Sequence, residues 1–448
     1  MGHSHSLLGE LNQLTLQGRY AEVISLCDQA DVSTETLFYK ANALYGLEDL
    51  ILSESFAKQA LTLSPTHHPS LTLLASIANL RGDSTQARSW LLNVDPNGVD
   101  LPETRLEMGL VLLKEKNHRA AIELMDRSMA SFTHAMHRAR AAQILGDCYD
   151  ALGDFQTAFG FYCQKNEQLK LWMQHLGVSD QLNNHARMLL DSLSAWPSFR
   201  HTQSDANPRP IFIVGFPRTG TTLLQAKLSN IPDTDTLDER NLWTEATERW
   251  LSNPQSFQRL LSASDRELSC ARESFWNHAT KHLGRSPRKI IIDKFPLNAL
   301  KLPLISKVFP GASVIYCTRN PRASVFSAFR RFIKPSALTL ACCQLDKAAE
   351  LHQTITTFVK LAEEKLDLNI FTLSYEEWMN SPEATFTRLC EQLALPTPTE
   401  QSTEEWQRDL KRRPYATPSS AQIFSGITSQ FQHNFKPYDF ALDAFFKA

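Results

Sequence analysis

The 448-residue sequence predicts an all-α helical repeat domain followed by an α/β domain with a central parallel sheet. Three observations carry this. Turn signals recur at near-constant spacing through the first part of the chain. Short apolar runs alternate with helical segments through the second. A glycine-framed loop, Gly215-Phe216-Pro217-Arg218-Thr219-Gly220-Thr221-Thr222, directly follows the first of those runs.

In the first part the turn signals are Gly18-Arg19-Tyr20, Gly46-Leu47-Glu48-Asp49, Arg81-Gly82-Asp83, Lys116-Asn117-His118 and Gly153-Asp154-Phe155. Ala57, Ala60, Ala87, Ala120, Ala121 and Ala158 supply small side chains where paired helices must approach closely. The later spacings, and the helix end Gln59-Ala60-Leu61-Thr62-Leu63-Ser64-Pro65, resemble a tetratricopeptide (TPR) array with its period of about 34 residues. A single helical hairpin cannot bury its apolar face, so such units must stack. The resemblance implies four to five TPR-like units over residues 1–165, the first a degenerate cap or a lone hairpin because Gly18 and Gly46 lie too close together. It also implies a protein partner or self-association through them. Residues 166–209 read as a capping helix, about Gln164 to Leu193, and a Pro- and Ser-rich linker.

From Ile211 the pattern changes. Ile211 to Val214, Lys289 to Asp293, Ser313 to Cys317 and Ile370 to Leu373 are short, continuously apolar runs. Such runs suit strands of a parallel sheet covered on both faces. Sites in these sheets gather at the carboxyl ends of the strands, where Gly215, Lys294, Arg319 and Tyr375 fall. The domain is assigned to residues 210–448.

Bulk properties narrow the function. Hydrophobic content of 42% and charge of 21% are those of an ordinary globular chain, and the net charge of −2 excludes a general polyelectrolyte partner such as nucleic acid. The eight cysteines form no C-x-x-C pair, so they read as buried thiols in a reducing compartment, with neither zinc nor a redox dithiol signalled. No apolar run approaches the ~18 residues of a membrane span. The opening Met1-Gly2-His3-Ser4-His5-Ser6 lacks the basic-then-apolar pattern of a signal sequence. The expected location is cytoplasmic.

The glycine loop carries the chemistry. Strand, glycine loop and helix N-terminus together hold an anion, because backbone N–H groups point at it and the helix dipole favours it. The two glycines have the spacing of the nucleotide-binding P-loop, so the domain is P-loop-like. Thr221, however, stands where the P-loop lysine belongs, and the cation has moved into the loop as Arg218. A second anion holder follows a later strand. Arg319 ends the run, Asn320 and Pro321 start a helix, and Ser327 and Arg331 lie at i and i+4 on one face of it. A nucleotide with phosphates at both ends of its ribose needs two such holders.

On these residues the chain resembles the sulfotransferases, over roughly residues 209–436, and the catalytic half is similar to protein-tyrosine sulfotransferases. The resemblance implies 3′-phosphoadenosine 5′-phosphosulfate (PAPS) as sulfuryl donor, with no metal. It implies that Arg218 contacts the leaving phosphate and the sulfuryl group, and that Thr219, Gly220, Thr221 and Thr222 bind the 5′-phosphate. Arg319, Ser327 and Arg331 would take the 3′-phosphate, and Tyr375 would contact the nucleotide. Lys294 would support the sulfuryl oxygens, Ser419 would complete the donor site, and Glu239 would be the general base. The acceptor would be a hydroxyl, with peptide tyrosine favoured. One departure stands at Gln430, where the family carries a basic residue.

Two other functions fit parts of the sequence. A P-loop kinase or NTPase would use Asp293, after its apolar run, to position Mg²⁺; the absent P-loop lysine and the second anion holder argue against it. A TPR adaptor with an inert α/β domain would have no use for Arg218, Glu239 and Lys294.

Overall fold

The computed structural model describes residues 2–94, 98, 100–198, 209–331, 335–396 and 433–446. These divide into two compact units, residues 2–172 and residues 173–396 with 433–446.

The first unit is built from helical hairpins. They are α1 (Gly2–Leu16) with α2 (Tyr20–Gln29), α3 (Thr34–Gly46) with α4 (Leu50–Leu63), and α5 (His68–Leu80) with α6 (Ser84–Leu91). Then come α7 (Pro102–Lys114) with α8 (His118–Met129), and α9 (Ala135–Ala151) with α10 (Phe155–His175). Each hairpin turns on one left-handed residue: Gly18, Glu48, Gly82, Lys116 and Gly153, with φ of 71°, 68°, 81°, 61° and 82°. The next residue's N–H reaches back to a carbonyl of the last turn, as in Asp49 to Leu44 and Asp83 to Ala78, both near 3 Å. That is the helix-ending bond of a Schellman motif. The same residue then starts the following helix. Asp49, Asp83, Asn117 and Asp154 accept from the N–H groups of Leu52, Gln86, Ala120 and Thr157 at 3.0, 2.8, 3.4 and 3.1 Å.

The second turn falls within its signal, Gly46-Leu47-Glu48-Asp49. Glu48, not Gly46, takes the left-handed conformation, and Gly46 ends α3. Its missing side chain serves packing, since a Cβ there would lie 2.4 Å from the Tyr20 ring. Ala41, Ala57, Ala87 and Ala121 are fully buried in the cores between helices, beside Leu50, Leu91, Leu106 and Met125.

The second unit holds a five-stranded, all-parallel sheet in the order β2-β3-β1-β4-β5. The strands are β1 (Arg209–Gly215), β2 (Thr234–Asp238), β3 (Ile290–Lys294), β4 (Ala312–Thr318) and β5 (Leu368–Ser374). Four of them match the apolar runs. β2 gave no such signal, because Thr-Asp-Thr-Leu-Asp is mostly polar. It lies at the sheet edge and pairs only with β3, so it does not need two apolar faces. Central β1 is apolar through its middle: Ile211, Phe212, Ile213 and Val214 are fully buried. Phe212 packs into an aromatic cluster with Trp243, Phe275 and Phe309, at centroid separations of 6.1, 6.1 and 6.3 Å.

Helix α11 (Leu182–Ser194) belongs to this unit. Asn183 donates to Glu350 at 2.8 Å, and Lys365 donates to the carbonyls of Ser194 and Trp196 at 2.7 Å each. All eight cysteines are free thiols. The expectation that all are buried fails at Cys270, which is exposed on the outer face of the helix Asp265–Leu283, and at Cys163, which is half-buried. Among the described residues no helix is long and apolar enough to cross a membrane.

Candidate active site

The order β2-β3-β1-β4-β5 makes β1 the point where successive connections leave in opposite directions, and such a point opens a crevice at the strand ends. The glycine loop lies there, leading from β1 into α12 (Thr221–Leu228). Gly215 is required because a Cβ would stand 2.5 Å from the Cys317 carbonyl on β4. Gly220 is required twice over: its φ is +92°, and a Cβ would meet the Tyr375 ring at 2.8 Å. The Thr219 hydroxyl donates to the Phe216 carbonyl at 2.8 Å and closes the loop. Thr221 and Thr222 are buried at the start of α12, and Gly220 caps that helix without a side-chain oxygen.

Arg218 has φ of +70°, a conformation that costs a non-glycine residue roughly 1 kcal/mol or more and persists only where its surroundings enforce it. Its Nε donates to Ser327 Oγ at 3.1 Å. Ser327 lies on α13 (Pro321–Arg330), the helix that follows β4. Asn320 caps α13 by accepting from Ala323 N–H at 3.2 Å, and Pro321 sits in its first turn, as the sequence reading expected. Arg319 sends Nη1 to the Arg218 carbonyl at 3.0 Å, and its guanidinium lies 4.5 Å from the centre of the Tyr375 ring. The Tyr375 ring is therefore held between Gly220 and Arg319. The glycine loop and the segment that begins at Arg319 meet directly.

The electrostatics follow from this crowding. Burial, then the charges of Arg331, Arg319 and Arg330, push Arg218 down to about 9. Burial also lowers Arg319, with Arg330 adding to the fall while Tyr375 and Glu376 oppose it. Tyr375 is raised, first by burial. Four guanidiniums so close together favour a multiply charged anion among them. Arg330, the last residue of α13, is buried near Arg218 and Arg319 as a property of the fold.

On the other side of β1, Lys294 ends β3 and is fully buried. Its Nζ is 2.7 Å from Glu239 Oε1 and is also paired with Asp238. Burial alone would lower this ammonium, but Asp238 and then Glu239 more than offset that, so it is held above its ordinary value. Asp238 ends β2 in register with Lys294. Glu239 follows with φ of +51°, and its N–H donates to the Lys294 carbonyl at 2.8 Å. The contact of Asp238 with Lys294 arises from the pairing of β2 with β3 and not from local sequence.

Asp293 lies one residue before Lys294 and so on the opposite face of β3. It accepts from Asn298 Nδ2 at 2.9 Å. Burial pushes it up to about 7, against the opposing pull of Lys301, Asn298, Trp243 and Lys294. This acid is part of the interior, not of the crevice that holds Arg218. Among the described residues no group of three or more His, Cys, Asp or Glu side chains is placed to hold a metal ion. Ser419 and Gln430 lie outside the described residues.

Residues 210–399 match the family model of the sulfotransferase family. The chain is 28% identical over 191 residues to protein-tyrosine sulfotransferase 1 of Danio rerio, covering 42% of this chain and 53% of that protein. It is 31% identical over 126 residues to protein-tyrosine sulfotransferase 1 of Homo sapiens, covering 27% and 34%. It is also 23% identical over 317 residues to an uncharacterized protein of Aquifex aeolicus, covering 67% of this chain and 40% of that one. The chain thus spans between 34% and 53% of the length of these relatives. A glycine loop, an arginine cluster bonded to it and a lysine–carboxylate group stand at the strand ends of the segment that matches the sulfotransferase family.

Proposed function

We propose that this protein is a PAPS-dependent sulfotransferase that acts on an acceptor hydroxyl, with peptide tyrosine as the acceptor. The observation that carries the reading is the joining of the two anion holders: Arg218 bonds to Ser327, and Arg319 bonds to Arg218. A donor with a phosphate at each end of one adenosine fits such a pair. The crowding that pushes Arg218 down to about 9 is the kind of field a polyanion relieves.

In this reading the loop of Thr219, Gly220, Thr221 and Thr222 holds the 5′-phosphate. Arg319, Ser327 and Arg331 hold the 3′-phosphate, and Tyr375 packs on the nucleotide. When bound, PAPS supplies a sulfuryl group whose bond to the phosphate oxygen breaks as a bond to the acceptor oxygen forms. Glu239 takes the acceptor's proton. Arg218 and Lys294 stabilise charge on the transferring group and the leaving phosphate, and such preorganised cations supply much of the rate in transfers of this kind. Ser419 is assigned to the donor site on family resemblance alone. The helical hairpins of residues 1–165 are read as TPR units that bind the acceptor or a protein partner, or that self-associate. Residues 166–209 are read as the connection to the transferase domain at 210–448, and the compartment as the cytoplasm.

Peptide tyrosine is favoured by the names of the Danio rerio and Homo sapiens relatives and by Glu239 beside Lys294. Calorimetry with 3′-phosphoadenosine 5′-phosphate tests the donor: binding should be tight and indifferent to Mg²⁺. Mg²⁺-dependent ATP binding with no affinity for the bisphosphate would establish the kinase or NTPase reading instead. Labelled PAPS with a tyrosine-containing peptide pool tests the acceptor by mass spectrometry.

A further inference from the structure

Lys294 is fully buried and has two carboxylates, although the proposed chemistry asks for one. The two are not equivalent. Asp238 lies on β2 in hydrogen-bonded register with Lys294, so both side chains stand in one row on the same face of the sheet. Its side chain is 32% exposed. Glu239 is past the strand end, in a left-handed conformation, and its side chain is 49% exposed. One carboxylate is fixed by the sheet, and the other reaches in from a strained turn.

A buried ammonium that loses its only counter-ion costs several kcal/mol. If Glu239 were that only partner, turning toward an acceptor hydroxyl would strand Lys294. We propose that Asp238 is the resident counter-ion of Lys294, a positioning residue that lets Glu239 leave the lysine and take the acceptor's proton. This rests on the reading of Glu239 as the base. The proton moves from the acceptor oxygen to a Glu239 carboxylate oxygen, while Asp238 stays ionised and paired throughout. The charged groups bearing on Lys294 are Asp238 from β2 and Glu239 just beyond it, with Asp293 interacting with it from the opposite face of β3; Arg240, next along the chain, acts on His282.

Two measurements on the full chain test it. The first needs no activity. Glu239→Gln should leave the thermal midpoint close to wild type, because Asp238 still neutralises Lys294, whereas Asp238→Asn should lower it clearly. The opposite ranking overturns the proposal, whatever the reaction proves to be. The second measurement uses labelled PAPS and the tyrosine peptide pool. Asp238→Asn should lower kcat roughly tenfold or more, and should move the acid limb of the kcat–pH profile to lower pH, since the ammonium then has one carboxylate partner in place of two. Its affinity for 3′-phosphoadenosine 5′-phosphate should be unchanged, and Asp238→Glu should restore both kcat and the limb. A merely structural role would lower kcat without moving the limb. If both kcat and the limb stay at their wild-type values, Asp238 does not position the lysine. If Asp238→Asn does not fold while Asp238→Glu folds but still lacks activity, the proposal also fails. A wild-type chain that binds the bisphosphate but transfers no sulfuryl group would instead remove the reading of Glu239 on which it rests.

Discussion

Arg319 donates to the main-chain carbonyl of Arg218 across 3.0 Å, so the segment after β4 is fastened to the backbone of the glycine loop. The bond runs to the backbone and therefore survives any change in the side chain at 218. It fixes the loop from outside, from a residue that also covers Tyr375.

Arg319→Lys keeps the charge but loses the planar fork that can bond to the Arg218 carbonyl, stack on Tyr375 and still face an anion. Affinity for 3′-phosphoadenosine 5′-phosphate should fall by about tenfold or more, measured by calorimetry, with the far-ultraviolet circular dichroism unchanged.

Arg218→Gly separates stability from function. It removes a left-handed strain of roughly 1–3 kcal/mol and a buried charge among three others. The melting temperature without ligand should rise or hold, while turnover is lost. A melting temperature that falls by several degrees would show that the Arg218–Ser327 bond outweighs strain and repulsion.

Asp293 gives a pH signature. Its carboxyl is raised to about 7 in the folded chain, against about 3.9 unfolded. Between those values the folded state holds the extra proton, so this residue's effect on stability worsens as pH rises from about 4 to about 7, and is constant above that. Asp293→Asn should therefore stabilise the protein at pH 8, by at most about 4 kcal/mol, and the gain should shrink toward pH 4. Thermal melts across that range measure it.

Gly46→Ala would place a methyl group 2.4 Å from the Tyr20 ring. Overpacking of this kind costs roughly 1–3 kcal/mol. The double variant with Tyr20→Ala should recover part of the loss, and that coupling is read from denaturant midpoints.

Much of the site was legible because anion-binding loops are written in local sequence. The glycines at 215 and 220, Arg218 between them, and the Arg319–Asn320–Pro321 helix start each follow from backbone chemistry over a few residues. What stayed hidden depends on neighbours in space. Asp238 acquires a role only because β2 lies in register with β3, and β2 was too polar to register as a strand. Asp293 resembled a metal-positioning acid until strand alternation turned it away from Lys294 toward Asn298. Tyr375 gains its place from Gly220 and Arg319, neither of which is near it in the chain. In the helical unit, four of the five turn signals contain a glycine. Glu48 and Lys116 hold the same left-handed geometry without it, because the bonds on either side of the turn enforce it.

Those turns make the helical array modular in a literal sense. Residue 48 closes one helix and residue 49 opens the next, just as residues 82 and 83 do one period later. Deleting residues 49–82 would join Glu48 to Asp83, recreating the Glu-Asp pair that already stands at 48 and 49. Recombination at such seams can shorten or lengthen the array without inventing a new junction, so reach can evolve independently of the chemistry downstream.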